Sequence, residues 1–252
     1  MFSGIGLIAF CCTFGAAQIG LFLGRRLPES NRTKATQKTV LNVMNLVSVL
    51  SALVLGLMIA DTKANFDASS KEVEEFAANL VLLDRELLHF DFEIKKARDG
   101  LRAFTMRKTE QMWPKDRTAK PMIHDMRAVA MLDEIQEQLR MWTPPTEAQR
   151  EGRANALQLI TELKRTSRLL AIQEVSHSPP AFLIVVIVWL TLLFLSFALF
   201  APLNATAIFA LVACSISVSI AVNLIFDMDR PFAGFIRVSS TPMQQALDQM
   251  KP

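Results

Sequence analysis

Amide and hydroxyl side chains recur along one face of an apolar stretch near the N-terminus of the chain. The stretch covers residues 39–60, and within it Asn42, Asn45 and Ser48 follow one another at intervals of three residues. A polar group in hydrocarbon is costly unless it is hydrogen-bonded, so such side chains face protein or water and not lipid. Two chemistries fit this row: the groups hydrogen-bond to neighbouring helices, or they line an aqueous path for ions.

The same face continues beyond Ser48 with small and apolar residues. The residues that extend the row are Val49, Ala52, Gly56 and Ile59. A hydrophobic constriction of this kind can gate an ion path by dewetting. Together with the three polar residues, they are the predicted candidates for pore lining.

A second polar row lies on another apolar stretch, residues 205–226. Ser215, Ser219 and Asn223 are spaced by four residues and lead towards Asp227. Four residues are close to one helical turn, so these side chains share a face of the predicted helix. A packed polar seam between helices and the wall of a conduit both fit this pattern.

Side chains that commonly carry catalysis or bind metals form no recognisable set. His89, His124 and His177 lie far apart, without an HxxxH motif or a cysteine partner. No glycine-rich phosphate loop, nucleophile elbow or paired-carboxylate motif is present. The charged run Asp84–Glu86 is expected on a solvated helix face. The sequence therefore predicts no enzyme, no bound metal and no cofactor.

Four apolar windows position the two polar rows. Each has about the 20 residues that a helix needs to cross roughly 30 Å of hydrocarbon. The windows are residues 4–23, 39–60, 181–201 and 205–226. A short turn, Pro202–Asn204, joins the last two, which contain no ionisable side chain. Charge follows the first window at Arg25 and Arg26 instead of preceding it, so this window is predicted to be a retained span and not a secretory signal.

Small residues recur on the first predicted span. Ala16, Gly20 and Gly24 are four residues apart, which places small surfaces on one face for close helix packing. Packing within the chain and contact between copies of the chain both fit this stripe.

Between the second and third spans, residues 61–179 are polar and predicted to be helical. Apolar residues from Leu80 to Phe104 repeat at alternating three- and four-residue spacing, which predicts one long packed helix. Two further stripes predict two more helices, and no strand-like alternation is present. The predicted fold is an all-α membrane protein. It has four transmembrane helices in two hairpins, 1–60 and 180–226, with a helical bundle, 61–179, inserted between spans 2 and 3 and a tail, 227–252.

Charge argues against a nucleic-acid partner and leaves the orientation in the membrane open. The net charge is only +3 and the chain has no tyrosine, so a clustered basic face with aromatic stacking partners is not expected.

Basic residues are densest in the link between the first two spans, yet more numerous in total beside the polar bundle. The positive-inside rule therefore does not decide which side is cytoplasmic.

Several segments resemble the bacterial bestrophin-like domain family. These segments are Leu55–Leu57, Asp61–Asp67, Ala77–Arg85, Leu199–Thr206, Asp229–Gly234 and Val238–Ser240. The motif residues are Asp229, Arg230, Pro231, Phe232 and Gly234. They are similar to the Pro-Phe-x-Gly motif that follows the last span of bestrophin chloride channels.

The resemblance implies a homo-oligomer in a bacterial inner membrane, with the helical domain in the cytoplasm. In bestrophins several subunits surround one pore, lined largely by the second span, which matches the row that begins at Asn42. Small inorganic ions, with anions as the candidate class, would be the permeating species. Animal bestrophins follow the motif with an acidic calcium-binding run, whereas this chain continues with Phe235-Ile236-Arg237, so no calcium clasp is implied. Asp61 stands where bestrophins carry a basic residue.

Two functions of different classes therefore remain. The first is an oligomeric ion channel with its path along the second span. The second is a membrane-anchored helical scaffold or sensor without transport activity, in which the polar rows only join helices.

Overall fold

The computed structural model describes residues 4–26, 28, 33–90, 95–115, 121–123, 125–175 and 180–251. Over these residues the regular elements are all α-helices. They are α1 (Gly4–Arg26), α2 (Lys34–Leu88), α3 (Lys95–Met112), α4 (Met126–Met141), α5 (Glu147–Val175), α6 (Pro180–Leu199), α7 (Ala205–Met228) and α8 (Thr241–Gln249). Helices α1, α2, α6 and α7 are long and apolar enough to cross a membrane. The predicted all-α fold with four membrane spans is confirmed.

The chain divides into two compact units. The first comprises Met1–Asn65 and His177–Asp229, and the second comprises Phe66–Ser176 and Arg230–Pro252. The first therefore contains the membrane helices, while the second contains the polar helices and the C-terminal residues. The residues after Asp229 group with the polar bundle. The predicted division into four segments stays a prediction.

Within the first unit, α1 packs against α6 through the predicted stripe of small residues. Ala16, Gly20 and Gly24 are all buried. A Cβ atom added to Gly20 would lie 2.5 Å from the carbonyl oxygen of Leu195, and one added to Gly24 would meet the carbonyl oxygen of Leu199. Of the two interpretations of this stripe, the structure shows packing within the chain. The absence of side chains at these positions lets the two backbones approach closely.

The turn between the last two spans is confirmed. Helix α6 ends at Leu199, and Asn204 caps α7 by accepting a hydrogen bond from the backbone N–H of Ala207 at 2.8 Å. An asparagine side chain in this position satisfies one of the backbone donors that the start of a helix leaves open. The sequence Pro202–Asn204 thus ends one span and begins the next.

The second span and the first helix of the bundle form one continuous helix. Helix α2 has 55 residues, which corresponds to about 80 Å at 1.5 Å per residue. It ends at Leu88 and α3 begins at Lys95, so the single long helix predicted from Leu80 to Phe104 is wrong. Buried apolar residues keep the same spacing on both sides of the break, and periodicity alone therefore could not reveal it.

The C-terminal residues complete the core of the second unit. Phe232 is buried and packs edge-on against Trp113, with ring centroids 5.9 Å apart. The indole N–H of Trp113 donates to the carbonyl oxygen of Val238 at 2.8 Å. Met243 and Met250 are buried in the same cluster. The tail is therefore an integral part of the bundle.

The expectation that Asp84 lies on a solvated face is wrong. Its side chain is buried and accepts hydrogen bonds from the Arg98 guanidinium on α3 at 2.8 and 3.2 Å. Asp84 follows Leu80 by four residues and precedes Leu87 by three, which places it on the core face of α2. The carboxylate therefore joins α2 to α3.

A second buried carboxylate, Asp125, caps α4 and joins it to α3. It accepts hydrogen bonds from Arg107 and Gln111, each at 2.6 Å, and from the backbone N–H of Arg127 at 3.0 Å. Burial alone would raise the pKa of Asp125, but the bonds from Gln111, Arg107 and Arg127 outweigh it and hold the pKa well below its usual range.

The depressed pKa of Asp125 predicts an acid-dependent loss of stability. The carboxylate stabilises the fold above its unfolded-state pKa of about 3.9, and this contribution is lost as the pH falls towards the folded-state pKa. We expect Asp125→Asn to lower the unfolding midpoint at neutral pH and the difference from wild type to shrink below about pH 4. Denaturant titrations in detergent at a series of pH values measure the unfolding midpoint of the variant and of the wild type. Asp133→Asn, which removes an exposed partner of Lys164, is the control. An equal and pH-independent loss in both variants contradicts the prediction.

Candidate ion path along the second membrane helix

One face of the membrane part of α2 is covered by its own chain. Along Lys34–Asn65, every residue of which the structure describes, the buried residues are Ser51 and Thr62. Their hydroxyl groups donate to the carbonyl oxygens of Val47 and Met58, at 2.8 and 2.7 Å. With about 100° of rotation per residue, Ser51 and Thr62 lie about 20° apart around the helix. These residues mark the side of α2 that faces the chain.

The predicted pore row lies on a different side of α2. On the same helical projection its seven residues centre about 120° from Ser51. Asn42, Asn45, Val49, Ala52 and Gly56 are exposed in the single chain, while Ser48 and Ile59 are half-buried. A Cβ atom added to Gly56 would have no neighbour within 4 Å. The row thus points away from the chain that carries it, and its role as pore lining stays a prediction.

The amides of the row find no partner in their own chain. Within the part of the chain that the structure describes, neither Asn42 nor Asn45 takes part in a side-chain hydrogen bond. An amide at membrane depth without a hydrogen bond is costly. Water or a second copy of the chain is therefore needed to satisfy them.

The third side of α2 carries large apolar residues. Leu46, Leu50, Leu53 and Leu57 lie about 200° to 260° from Ser51 on the same projection. All four are exposed, with 68% of Leu53 and 69% of Leu57 accessible in the single chain. The membrane part of α2 thus has a side that faces its chain, a side of amides and small residues, and a side of large apolar residues.

The polar row of the fourth span lies against α1. Ser215 and Ser219 are buried, and the Ser219 hydroxyl donates to the carbonyl oxygen of Gly6 at 2.6 Å. Ser215 donates to the carbonyl oxygen of Leu211 within its own helix. The half-buried Asn223 donates to the carboxylate of Asp227 at 3.3 Å. This geometry favours a seam within the chain over a conduit wall, and the role of the row stays a prediction.

The motif residues after the last span form backbone hydrogen bonds within each of the two units. Asp229 donates its backbone N–H to Ile225 at the end of α7. The Pro231 carbonyl oxygen accepts from the backbone N–H of Val238 at 2.8 Å, and Gly234 has a φ of 93°, in the left-handed region that favours glycine. Arg230 is exposed, whereas Phe232 enters the core described above. Asp229 thus ends the last span within the first unit, and the residues from Arg230 onward belong to the second unit.

Of the three histidines, the structure describes His89, which lies off the row. His89 is exposed at the end of α2, outside the first unit. His124 and His177 lie outside the described residues.

Comparison with known proteins identifies relatives of the whole chain. The family model of the Bestrophin-like domain matches residues 11–243. No curated protein matches the chain. A bacterial bestrophin homologue from Klebsiella pneumoniae shares the fold. A single-substitution variant of it gives a TM-score of 0.74 at 14% identity over 98% of both chains. A second structure of that homologue, phased by Zn-SAD, gives a TM-score of 0.73 at 12% identity over 97% of this chain and 96% of the other.

Proposed function

Because the chain belongs to the Bestrophin-like domain family, whose relatives are ion channels, we propose that it forms a homo-oligomeric channel for small ions. The path runs along α2 at the centre of the oligomer. Asn42, Asn45 and Ser48 provide its polar lining, and the segment from Val49 to Ile59 provides its narrow apolar section. The channel lies in a bacterial inner membrane with the helical bundle in the cytoplasm.

A single observation carries this proposal: the amide row of α2 is exposed and points away from its own chain. In a ring of copies, each of the three sides of α2 has an environment that suits its residues. The side of Ser51 and Thr62 packs on its own chain, the leucine side faces lipid or a neighbouring copy, and the amide side faces the axis, where water is present. Head-to-tail contacts between identical subunits close into such rings. An isolated chain leaves the amides in hydrocarbon.

A scaffold or sensor without transport is the second candidate, and the fourth span is the observation that favours it. There the polar groups join helices, as Ser219 does with the carbonyl of Gly6. If the α2 row joined copies in the same way, Asn45→Leu would weaken assembly and leave any ion flux unchanged.

The test is reconstitution of the purified protein in planar bilayers, with wild type and Asn45→Leu compared. The channel predicts conductance in the wild type and an altered conductance in the variant at preserved particle size. Loss of a dipolar group worth about 1 kcal/mol to a passing ion corresponds to an approximately fivefold change in rate. Leu46→Ala, on the apolar side, is the matched control and should leave conductance unchanged. Absence of wild-type conductance above background in any salt contradicts the proposal.

A further inference from the structure

An exposed phenyl ring lies between two arginines in the chain segment that follows the last span. Phe232 and Phe235 are three residues apart, yet only 3% of Phe232 is accessible, whereas 80% of Phe235 is. The residues Arg230 and Arg237 flank the exposed ring along the chain. We propose that this segment binds the bilayer surface, with the ring of Phe235 among the lipid headgroups and both guanidinium groups on the phosphates of anionic phospholipids.

The backbone of the second unit closes this segment into a turn. The backbone N–H of Val238 donates to the carbonyl oxygen of Pro231 at 2.8 Å, and both residues are buried. Gly234 lies between them with its φ of 93°, a conformation that glycine adopts without strain. Phe235 follows directly. Its exposure is therefore a property of a closed turn and not of a free chain end.

The guanidinium group of Arg237 is held on the same turn. Its Nε atom donates to the carbonyl oxygen of Gly234, the residue before Phe235, at 2.8 Å. Within the described part of the chain, Arg237 forms no ion pair. A guanidinium group binds phosphate through its N–H donors. The turn thus offers a phosphate-bearing surface both an apolar ring and a cation.

The covalent chain keeps this turn within reach of the bilayer. Helix α7 has 24 residues, which corresponds to about 36 Å and exceeds the roughly 30 Å thickness of the hydrocarbon core. It is therefore long enough to end among the headgroups. Asp229 caps its end, and the six residues from there to Phe235 extend at most about 20 Å. This limit follows from chain length alone.

The residue types fit the interface between water and lipid. Phenylalanine beside basic side chains is typical of segments that lie in this interface. An arginine close to an anionic membrane surface strengthens binding by about fivefold. Animal bestrophins continue the motif with an acidic run, whereas this chain has Phe235-Ile236-Arg237. Apolar and basic residues at this place favour an anionic surface as the partner instead of a cation.

Spin-label accessibility in vesicles tests the bilayer contact. The label is attached to Phe235→Cys in the full chain, after replacement of the free cysteines Cys11, Cys12 and Cys214 by alanine. The vesicles contain equal amounts of phosphatidylcholine and phosphatidylglycerol. We expect the label to be accessible to oxygen, which dissolves in lipid, and protected from a water-soluble nickel chelate. Met141→Cys, at a residue that is 75% exposed in the second unit, is the control and should admit the nickel chelate.

Lipid charge and the two arginines test the headgroup contact. In phosphatidylcholine alone, the ratio of oxygen to nickel accessibility at the label should fall about fivefold or more, because the attraction of the arginines is lost. Arg230→Gln/Arg237→Gln should give this low ratio in both lipids. Arg127→Gln/Arg140→Gln removes the same charge from exposed positions of α4 and should leave the ratio unchanged. Salt at about 1 M should also lower it, since the Debye length falls to about 3 Å.

Three results would overturn the proposal. Access of the nickel chelate to the label at Phe235→Cys, equal to that at Met141→Cys, places the turn in water. Protection from both reagents places it against protein, as in a contact with a second copy of the chain. An unchanged ratio in Arg230→Gln/Arg237→Gln shows that the turn does not recognise headgroup charge. None of these results depends on conductance, so the channel function is tested separately.

Discussion

Gly20→Ala is expected to disrupt the membrane unit, although it adds only one methyl group. The new Cβ atom would lie 2.5 Å from the Leu195 carbonyl oxygen and 2.8 Å from the Ala198 Cβ atom. The first contact is with backbone, which no side-chain rotation can relieve, so α1 and α6 must move apart. Overpacking of a tight contact costs about 1 to 3 kcal/mol, and separation of the helices also reduces burial along the whole seam. Most of the variant should unfold or aggregate on extraction.

Gly15→Ala is the matched control for this prediction. It makes the same chemical change on the same helix, but a Cβ atom at Gly15 would have no neighbour within 4 Å. Alanine is favoured over glycine in helices by about 1 kcal/mol, so this variant should be as stable as wild type or more stable. Thermal unfolding in detergent and elution on size exclusion measure both. Equal stability of the two variants would show that α1 does not pack on α6 as described.

The seam between α1 and α6 was predictable from the sequence because small residues leave a direct signal. Gly20 and Gly24 stand one turn apart in an apolar window, and close approach is what glycine permits in membrane helices. The turn at Asn204 was predictable for a similar reason, since proline and a capping residue mark the end and start of a helix. Which partner the small face would meet was open, because the same stripe serves packing within and between chains.

Breaks and buried charges were harder to predict. The seam from Leu80 to Phe104 has one continuous spacing in the sequence, yet two helices share it. Asp84 looked like part of a charged run, although its offset from Leu80 and Leu87 places it on the core face. Its partner Arg98 lies on the next helix, and pairing between helices requires knowledge of where the chain reverses. The spacing of Asp84 from Leu80 and Leu87 indicates the helix face on which it lies, but it does not indicate that Arg98 is its partner.

The sequence predicted which residues of α2 share one face of the helix, but not whether that face is covered by the rest of the chain. Three-residue spacing placed Asn42, Asn45 and Ser48 together, and the cost of buried amides required water or protein beside them. Spacing does not show how α2 is rotated relative to its own chain. The burial of Ser51 and Thr62 supplies that rotation and shows that the row points outward. What covers the row depends on other copies of the chain, which no single-chain pattern specifies.

Gly56→Trp is expected to abolish conductance while the protein still folds and assembles. Gly56 lies on the row, is exposed in the single chain, and has open space where a side chain would begin. A Cβ atom at Gly56 would have no neighbour within 4 Å, so we expect the side chain to leave the packing of its own chain intact. In a ring of copies each tryptophan points towards the axis, so several large apolar groups fill and dewet the narrow section of the path. Current should fall to the level of protein-free bilayers.

Leu57→Trp is the matched control, because it places the same side chain one residue away and about 100° around α2. Leu57 is exposed on the apolar side, where tryptophan replaces one large apolar group by another. This variant should keep wild-type conductance. Particle size in detergent and single-channel recordings are measured for both variants. Normal currents in Gly56→Trp at wild-type particle size would place the path elsewhere, and block by Leu57→Trp alone would assign the axis to the leucine side of the helix. The two adjacent substitutions therefore determine which side of α2 faces the ions, because both introduce a tryptophan on the same helix at nearly the same depth, on sides about 100° apart.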